Sequence, residues 1–215
     1  MKNHSNSLSG LYAIANQPRG AVSYARAALE GGASIVQLRA KHSSAAELLS
    51  EATAIGRLCV ERGALFIVND SIELARLSGA DGVHLGIDDQ SVEAARKILG
   101  EGAIIGVSCY GDLQRAIKAQ ESGASYVAFG ACFASNTKRE AKVIDLSVIE
   151  TAAKRLAIPI CAIGGITAQN AALVLELGAD MIAVIGALLN DTEWNARQLT
   201  KIAKEYKARR LANRA

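Results

Sequence analysis

The chain is poor in most residues that mark specialised protein classes. Of its 215 residues two are proline and 4% are aromatic. It is therefore neither a proline-rich extended chain nor a stacking platform for single-stranded nucleic acid. Four cysteines (Cys59, Cys109, Cys132 and Cys161) stand far apart with no C-x-x-C pair, which argues against a disulfide framework and a zinc site. A reduced, cytoplasmic setting is the expectation. No apolar run approaches the ~20 residues that span a bilayer, and the polar start, residues 1–7, does not read as a secretory signal. Charge of one sign is scarce too: 24 Lys+Arg against 21 Asp+Glu leaves +3. That is too mild for a protein organised around nucleic acid or an anionic membrane. The three histidines, His4, His42 and His84, show no metal-ligand spacing.

What the chain does have is apolar bulk and a repeated pattern. Half of it is hydrophobic, enough to fill one sizeable core. Eight short β-rich runs are visible, at residues 11–14, 34–38, 65–68, 82–85, 104–107, 126–129, 160–163 and 181–185. Helical patterns lie between them, with Ser43, Ser91 and Thr167 as candidate N-caps. A last helix over 194–214 ends in a basic run that reads as a solvated face. The triplets Gly32-Ala33-Ser34, Gly79-Ala80-Asp81, Gly123-Ala124-Ser125 and Gly178-Ala179-Asp180 each stand between a helix and a strand, where glycine suits the left-handed residue that ends a helix. One α/β domain over 1–215, with a polar tail over about residues 1–9, is expected. Eight strand–helix units predict a TIM (β/α)₈ barrel near its lower size. The rival, a doubly wound open sheet, has no G-x-G-x-x-G after its first strand to support dinucleotide binding.

Candidate chemistry collects at the ends of the strands. Alternation on the second strand puts Val36 and Leu38 on one face, and Gln37, Arg39 and Lys41 on the other. In a barrel the second face points to the mouth, where two cations call for an anion; the alternative is that Arg39 pairs with a barrel carboxylate. Asn69-Asp70 closes the third strand and Asp89 follows the fourth. Two carboxylates on neighbouring loops, with phosphate oxygens and water, suit Mg²⁺; either one could instead cap the next helix. Ser108 ends the fifth strand, placed to donate to a leaving oxygen or to cap a helix. Its neighbour Cys109 has no His or Asp partner, so no thiol nucleophile is expected. A long loop over 130–143 carries Ser135, Asn136, Thr137 and Lys138, three donors and a cation that would hold phosphate, unless the loop is merely surface. Gly164-Gly165 and Ile185-Gly186 end strands seven and eight, the usual place for a backbone phosphate cradle, or for tight turns. His84, alone in its strand, reads as a satisfied interior residue rather than a base. Two anion sites imply two phosphorylated substrates or one that is diphosphorylated.

Taken in order, these segments resemble the thiamine-phosphate synthase family. The likeness runs through Gln37-Leu38-Arg39-Ala40-Lys41, Val68-Asn69-Asp70, Ala80-Asp81-Gly82-Val83-His84-Leu85-Gly86 with Asp89, Ile105-Gly106-Val107-Ser108, Phe133-Ala134-Ser135-Asn136-Thr137-Lys138 and Ala162-Ile163-Gly164-Gly165-Ile166. It covers most of the chain, from about Leu11 to Ala187. The resemblance implies a transferase that joins a hydroxymethylpyrimidine diphosphate to a thiazole phosphate and releases diphosphate. It further implies that Gln37, Arg39, Lys41, Asn69, Ser108 and Lys138 hold the pyrimidine diphosphate, and that Asp70 and Asp89 bind Mg²⁺. Ser135, Thr137, Gly165, Ile185 and Gly186 would hold the thiazole phosphate. Departures from the usual pattern are Ile87 for Gln, Ala131 for Pro, Ser135 for Thr and Gly186 for Ser, and residues 139–144 replace a segment containing Pro and Gly. A thiazole tautomerase on the same barrel, a non-catalytic binder of thiamine precursors and another phosphate-binding barrel are the alternatives. Retention of Arg39, Lys41, Asn69, Asp70, Asp89 and Lys138 favours the synthase. No nucleic-acid or membrane partner is expected, and a homo-oligomer is left open.

Overall fold

A computed structural model describes residues 8–16, 20–39, 44–134 and 142–212. Eight parallel strands alternate with eight α-helices: β1 (Gly10–Ala15), α1 (Ala21–Glu30), β2 (Ile35–Leu38), α2 (Ala45–Arg62), β3 (Leu65–Asn69), α3 (Ile72–Ser78), β4 (Gly82–Leu85), α4 (Val92–Leu99), β5 (Ile104–Tyr110), α5 (Leu113–Glu121), β6 (Tyr126–Phe129), α6 (Ser147–Arg155), β7 (Ile160–Ile163), α7 (Ala171–Glu176), β8 (Met181–Val184) and α8 (Thr192–Ala212). The strands pair in chain order, and β8 closes on β1 with Gly10 opposite Met181 and Ala13 opposite Val184. That last pairing excludes the open sheet and establishes the TIM barrel. Among the described residues no helix is long and apolar enough to cross a membrane.

The near-continuous apolar runs follow from burial of both strand faces. Outward residues such as Val36, Leu38, Val68, Val83, Ile105, Val127 and Ile182 pack against Ala25, Ala28, Ile55, Ala75, Ala95, Ala116 and Ala152 of the helices. The small alanine side chains let the helices lie close on the barrel. Inward residues form a second core of Tyr12, Ile14, Ile35, Leu65, Ile67, Ile104, Tyr126, Cys161 and Met181, with Leu8 buried among them. Gly106 makes room inside: a Cβ there would sit 2.1 Å from the Tyr126 ring.

The four Gly-Ala triplets build the floor of the barrel. Each glycine has a positive φ at the end of α1, α3, α5 or α7. Each following alanine N–H donates to the carbonyl five residues back (Ala28, Ala75, Ala119 and Val174), closing the helix in a Schellman turn. The third residue then reaches a neighbouring strand. Asp81 Oδ2 accepts from Phe66 N–H at 2.8 Å, Ser125 Oγ from Ile105 N–H at 3.0 Å and Asp180 Oδ2 from Ile160 N–H at 2.9 Å, while Ser34 Oγ donates to the Ser9 carbonyl. The basic end of α8 also contributes here: Arg210 pairs with Asp180 at 3.1 Å and Lys207 donates to Ser9 Oγ.

Helix starts differ from expectation in detail. Ser91 caps α4 as expected. Ser44 caps α2 in a capping box with Glu47, whereas Ser43 lies outside the described residues. Thr167 does not cap α7: its own N–H donates to Asn170 Oδ1 within a turn, and the helix begins at Ala171. The last helix starts at Thr192 rather than Trp194, with Asp191 Oδ1 accepting from Trp194 N–H.

Replacing Asp81 by Ala removes the acceptor of a buried strand N–H and should lower stability by about 1–3 kcal/mol. The floor lies at the opposite end from the strand C-termini, so steady-state kinetics should stay at wild-type values. Urea unfolding alongside kinetics checks this; unchanged stability would refute the floor bond's contribution.

Candidate active site at the C-terminal rim

Parallel strands in a closed barrel bring all their C-terminal ends to one rim. Arg39 follows β2, Asn69 ends β3 and Asp70 follows it, Asp89 lies in the loop after β4, and Ser108 is near the end of β5. Gly164-Gly165 and Ile185-Gly186 follow β7 and β8. These residues share one end of the molecule. Lys41, Ser135, Asn136, Thr137 and Lys138 lie outside the described residues.

Neither carboxylate is a helix cap. Ser71 Oγ, not Asp70, accepts from Leu74 N–H to cap α3, and Ser91 rather than Asp89 caps α4. Asp70 instead holds a left-handed backbone (φ 63°) while its N–H donates to the His84 carbonyl at 2.8 Å. A non-glycine residue in that region is strained, a state found where surrounding structure over-determines it. Asp89 Oδ2 accepts from Gly86 N–H at 2.6 Å, and its charge acts on His84, so it stands beside the end of β4. Among the described residues no three ligating side chains cluster around one point. Two hard oxygen donors on adjacent loops leave the remaining coordination to substrate oxygens and water, a pattern that fits Mg²⁺.

Arg39 is held without being neutralised. Its N–H donates to the Ala15 carbonyl at 2.8 Å and its Nη1 donates to Asn16 Oδ1. The partner is an uncharged amide, and among the described residues Arg39 has no carboxylate partner. Sequence reading missed Asn16, which directly follows β1.

Ser108 and Gln37 are joined by a polar chain through the barrel interior. Gln37 Nε2 donates to Tyr12 OH at 2.7 Å, and the Tyr12 and Tyr126 hydroxyls are 2.9 Å apart. Tyr126 OH lies 2.9 Å from His84 Nδ1, and His84 Nε2 lies 2.8 Å from Ser108 Oγ. The His84 ring stacks on Tyr126 with centroids 5.6 Å apart. Gln37, Tyr12 and Tyr126 are buried and His84 partly so. Burial pushes both phenols up and drives His84 down to about 4, against a weaker upward pull from Asp89. His84 is thus a satisfied interior residue, as its lone place in a strand suggests, and Ser108 is not a cap, since Asp112 caps α5. The tyrosines were not singled out in the sequence, although alternation along β1 and β6 places both inward. Arg115 of α5 also escaped notice: its Nε donates to the Ser108 carbonyl at 2.7 Å and its Nη2 to the Gly86 carbonyl at 3.1 Å, tying the end of β5 to the loop after β4. Cys109 is buried, which pushes its thiol up to about 12 and keeps it protonated.

The opposite side of the rim is backbone. Cys132 N–H donates to the Ile163 carbonyl and Phe133 N–H to the Gly164 carbonyl, so the chain leaving β6 runs along β7. A Cβ at Gly165 would meet the Phe133 carbonyl oxygen at 2.5 Å; only glycine fits beneath that segment. Ile144 N–H donates to the Ala131 carbonyl at 2.9 Å, joining the described ends of the long loop. Gly186 opens a 3₁₀ turn, Gly186–Leu188, whose first N–H groups find no carbonyl within the turn itself.

A folded-state His84 value near 4, below its ordinary 6.5, has a defined sign. Between those values the unfolded chain binds the extra proton, so stability is fully present above about pH 6.5 and is lost as pH falls toward 4. For a ring partly open to the mouth, the loss from pH 7 to pH 5 should be about 1–2 kcal/mol. Denaturant unfolding at both pH values should give a shallower pH dependence for His84→Gln than for wild type. Equal dependence would show that His84 is not the group responsible.

The family model, two curated relatives and a solved structure point to one family. The family model described as thiamine monophosphate synthase matches residues 11–188. The thiamine-phosphate synthase of Wolinella succinogenes is 52% identical over 186 residues, 84% of this chain and 86% of that protein. The thiamine-phosphate synthase of Nitrosococcus oceani is 49% identical over 196 residues, 89% of this chain and 90% of that protein. The solved thiamine phosphate pyrophosphorylase of Pyrococcus furiosus superposes with a TM-score of 0.87 at 36% identity, covering 95% of this chain and 99% of that one. This chain belongs to the thiamine monophosphate synthase family, and it is an enzyme of the transferase class.

Proposed function

We propose that this chain joins 4-amino-2-methyl-5-(diphosphooxymethyl)pyrimidine to hydroxyethylthiazole phosphate, forming thiamine phosphate and releasing diphosphate. The observation that carries the reading is the convergence on one rim of Arg39, without a carboxylate partner among the described residues, and the two non-capping carboxylates Asp70 and Asp89. Arg39, Lys41 and Lys138 bind the diphosphate, Ser108 donates to it, and Gln37 and Asn69 orient the pyrimidine. Ser135, Asn136, Thr137, Gly165, Ile185 and Gly186 take the thiazole phosphate. Asp70 and Asp89 hold Mg²⁺, which when bound offsets charge on the diphosphate.

The reaction needs no protein nucleophile. The carbon–oxygen bond breaks with its electron pair going to diphosphate, and the electron-rich aminopyrimidine carries the positive charge left on the methylene carbon. The thiazole nitrogen lone pair then forms the new carbon–nitrogen bond. Cations and a hydroxyl fixed where negative charge grows lower the barrier, because they do not have to reorganise during the step. Exclusion of water from the site would keep it from capturing the cation before the thiazole does. Four free, buried cysteines suit the reducing cytoplasm, which is where we place the enzyme.

Incubation with both phosphorylated halves and Mg²⁺, with detection of thiamine phosphate and diphosphate, tests the reading. Asp70→Ala and Lys138→Ala should each lower turnover at least about tenfold while circular dichroism and thermal unfolding stay close to wild type. Near-normal kinetics for both variants would remove these residues from the mechanism.

A further inference from the structure

The buried chain from Gln37 to Ser108 has a direction. The Gln37 amide nitrogen can only donate, so Tyr12 OH accepts from it at 2.7 Å and keeps one proton to give. Among the described residues the other partner of that hydroxyl is Tyr126 OH at 2.9 Å, which therefore accepts. Tyr126 in turn has one proton, and its remaining partner is His84 Nδ1 at 2.9 Å. Both ring nitrogens of His84 meet hydroxyls rather than a carboxylate, and the ring is stacked on Tyr126, surroundings that favour neutral imidazole. A neutral ring that accepts at Nδ1 carries its proton on Nε2, and so donates to Ser108 Oγ at 2.8 Å. The opposite order fails at its far end: the Tyr12 proton would face the Gln37 NH₂ group, which cannot accept it.

Ser108 Oγ thus already receives one hydrogen bond, and among the described residues His84 is its sole side-chain partner. Its own proton is free to turn toward the barrel mouth. We propose that His84 is a positioning residue: locked as the Nε2–H tautomer by Gln37, Tyr12 and Tyr126, it commits the Ser108 hydroxyl to donate to an oxygen of the departing diphosphate. The inference rests on the reading that Ser108 faces that group. It adds His84, Tyr12 and Tyr126 to the site and gives Gln37 a second role, that of setting which way the Ser108 proton points. Gly106 belongs to the same device, because only glycine leaves space for the Tyr126 ring.

Nitrogen NMR of the full chain with 15N-labelled histidine reads the tautomer directly, with the His84 signals identified by their loss in His84→Gln. The wild type should show a proton on Nε2 and an unprotonated Nδ1. Tyr126→Phe removes the donor to Nδ1 and should shift part of the population to the Nδ1–H form. A wild-type Nδ1–H tautomer, or a tautomer ratio unmoved in folded Tyr126→Phe, would overturn the proposal. Kinetics give a second readout. A glutamine amide can still donate to Ser108, so His84→Gln should retain about tenfold more kcat than His84→Leu, with the KM for thiazole phosphate unchanged in both. Equal kcat in the two folded variants would also overturn it. Ser108→Ala separates the two levels: wild-type turnover there would sink the role of Ser108 in the reaction, whereas the NMR result tests the locked tautomer alone.

Discussion

Closure of the sheet by β1 against β8 is the constraint on which the rest depends. It pairs residues near the start of the chain, Gly10 to Ala13, with Met181 to Val184 near its end. Once that ladder forms, every strand is parallel to its neighbours and every strand C-terminus lies on one rim. Residues as distant in sequence as Asn16, Asp70, Ser108 and Gly165 are thereby brought to one end of the barrel. The floor triplets serve the same end. By stitching Asp81, Ser125 and Asp180 to the preceding odd-numbered strands, they fix strand register at the end opposite the strand C-termini.

Inside the barrel a hydrogen-bonded polar chain runs among apolar side chains such as Ile14, Ile67 and Ala128. Unpartnered hydroxyls at that depth would each cost on the order of 1–3 kcal/mol. A continuous chain from Gln37 to Ser108 removes that cost and gains order in return. Arg39 shows the same economy: an amide partner fixes its direction without neutralising its charge. Arg115 donates to the Ser108 carbonyl on β5 and to the Gly86 carbonyl after β4, which ties the start of the loop carrying Asp89 to the end of β5.

Much of this was legible in the sequence, because strand alternation and strand ends carry the information locally. Val36 and Leu38 against Gln37 and Arg39 told which face met the helices. Asp70, Asp89 and the paired glycines stood at strand ends, and so at the rim. What was not legible depends on contacts between distant segments. The Tyr12–Tyr126 bond joins residues 114 positions apart, and no local pattern announces it. The Gly-Ala triplets were visible as helix stops, but the bond made by the third residue required the neighbouring strand. Thr167 misled because its cap-like chemistry was diverted into a turn by Asn170.

On the function proposed above, cations and paired carboxylates at this rim bind a diphosphate together with a divalent ion. Calorimetric titration of the full chain with inorganic diphosphate, with and without Mg²⁺, tests it most directly. Tight binding is expected only when Mg²⁺ is present, with that dependence lost in Asp70→Asn. Equal affinity with and without the ion, or a Mg²⁺ dependence untouched by the substitution, would contradict it.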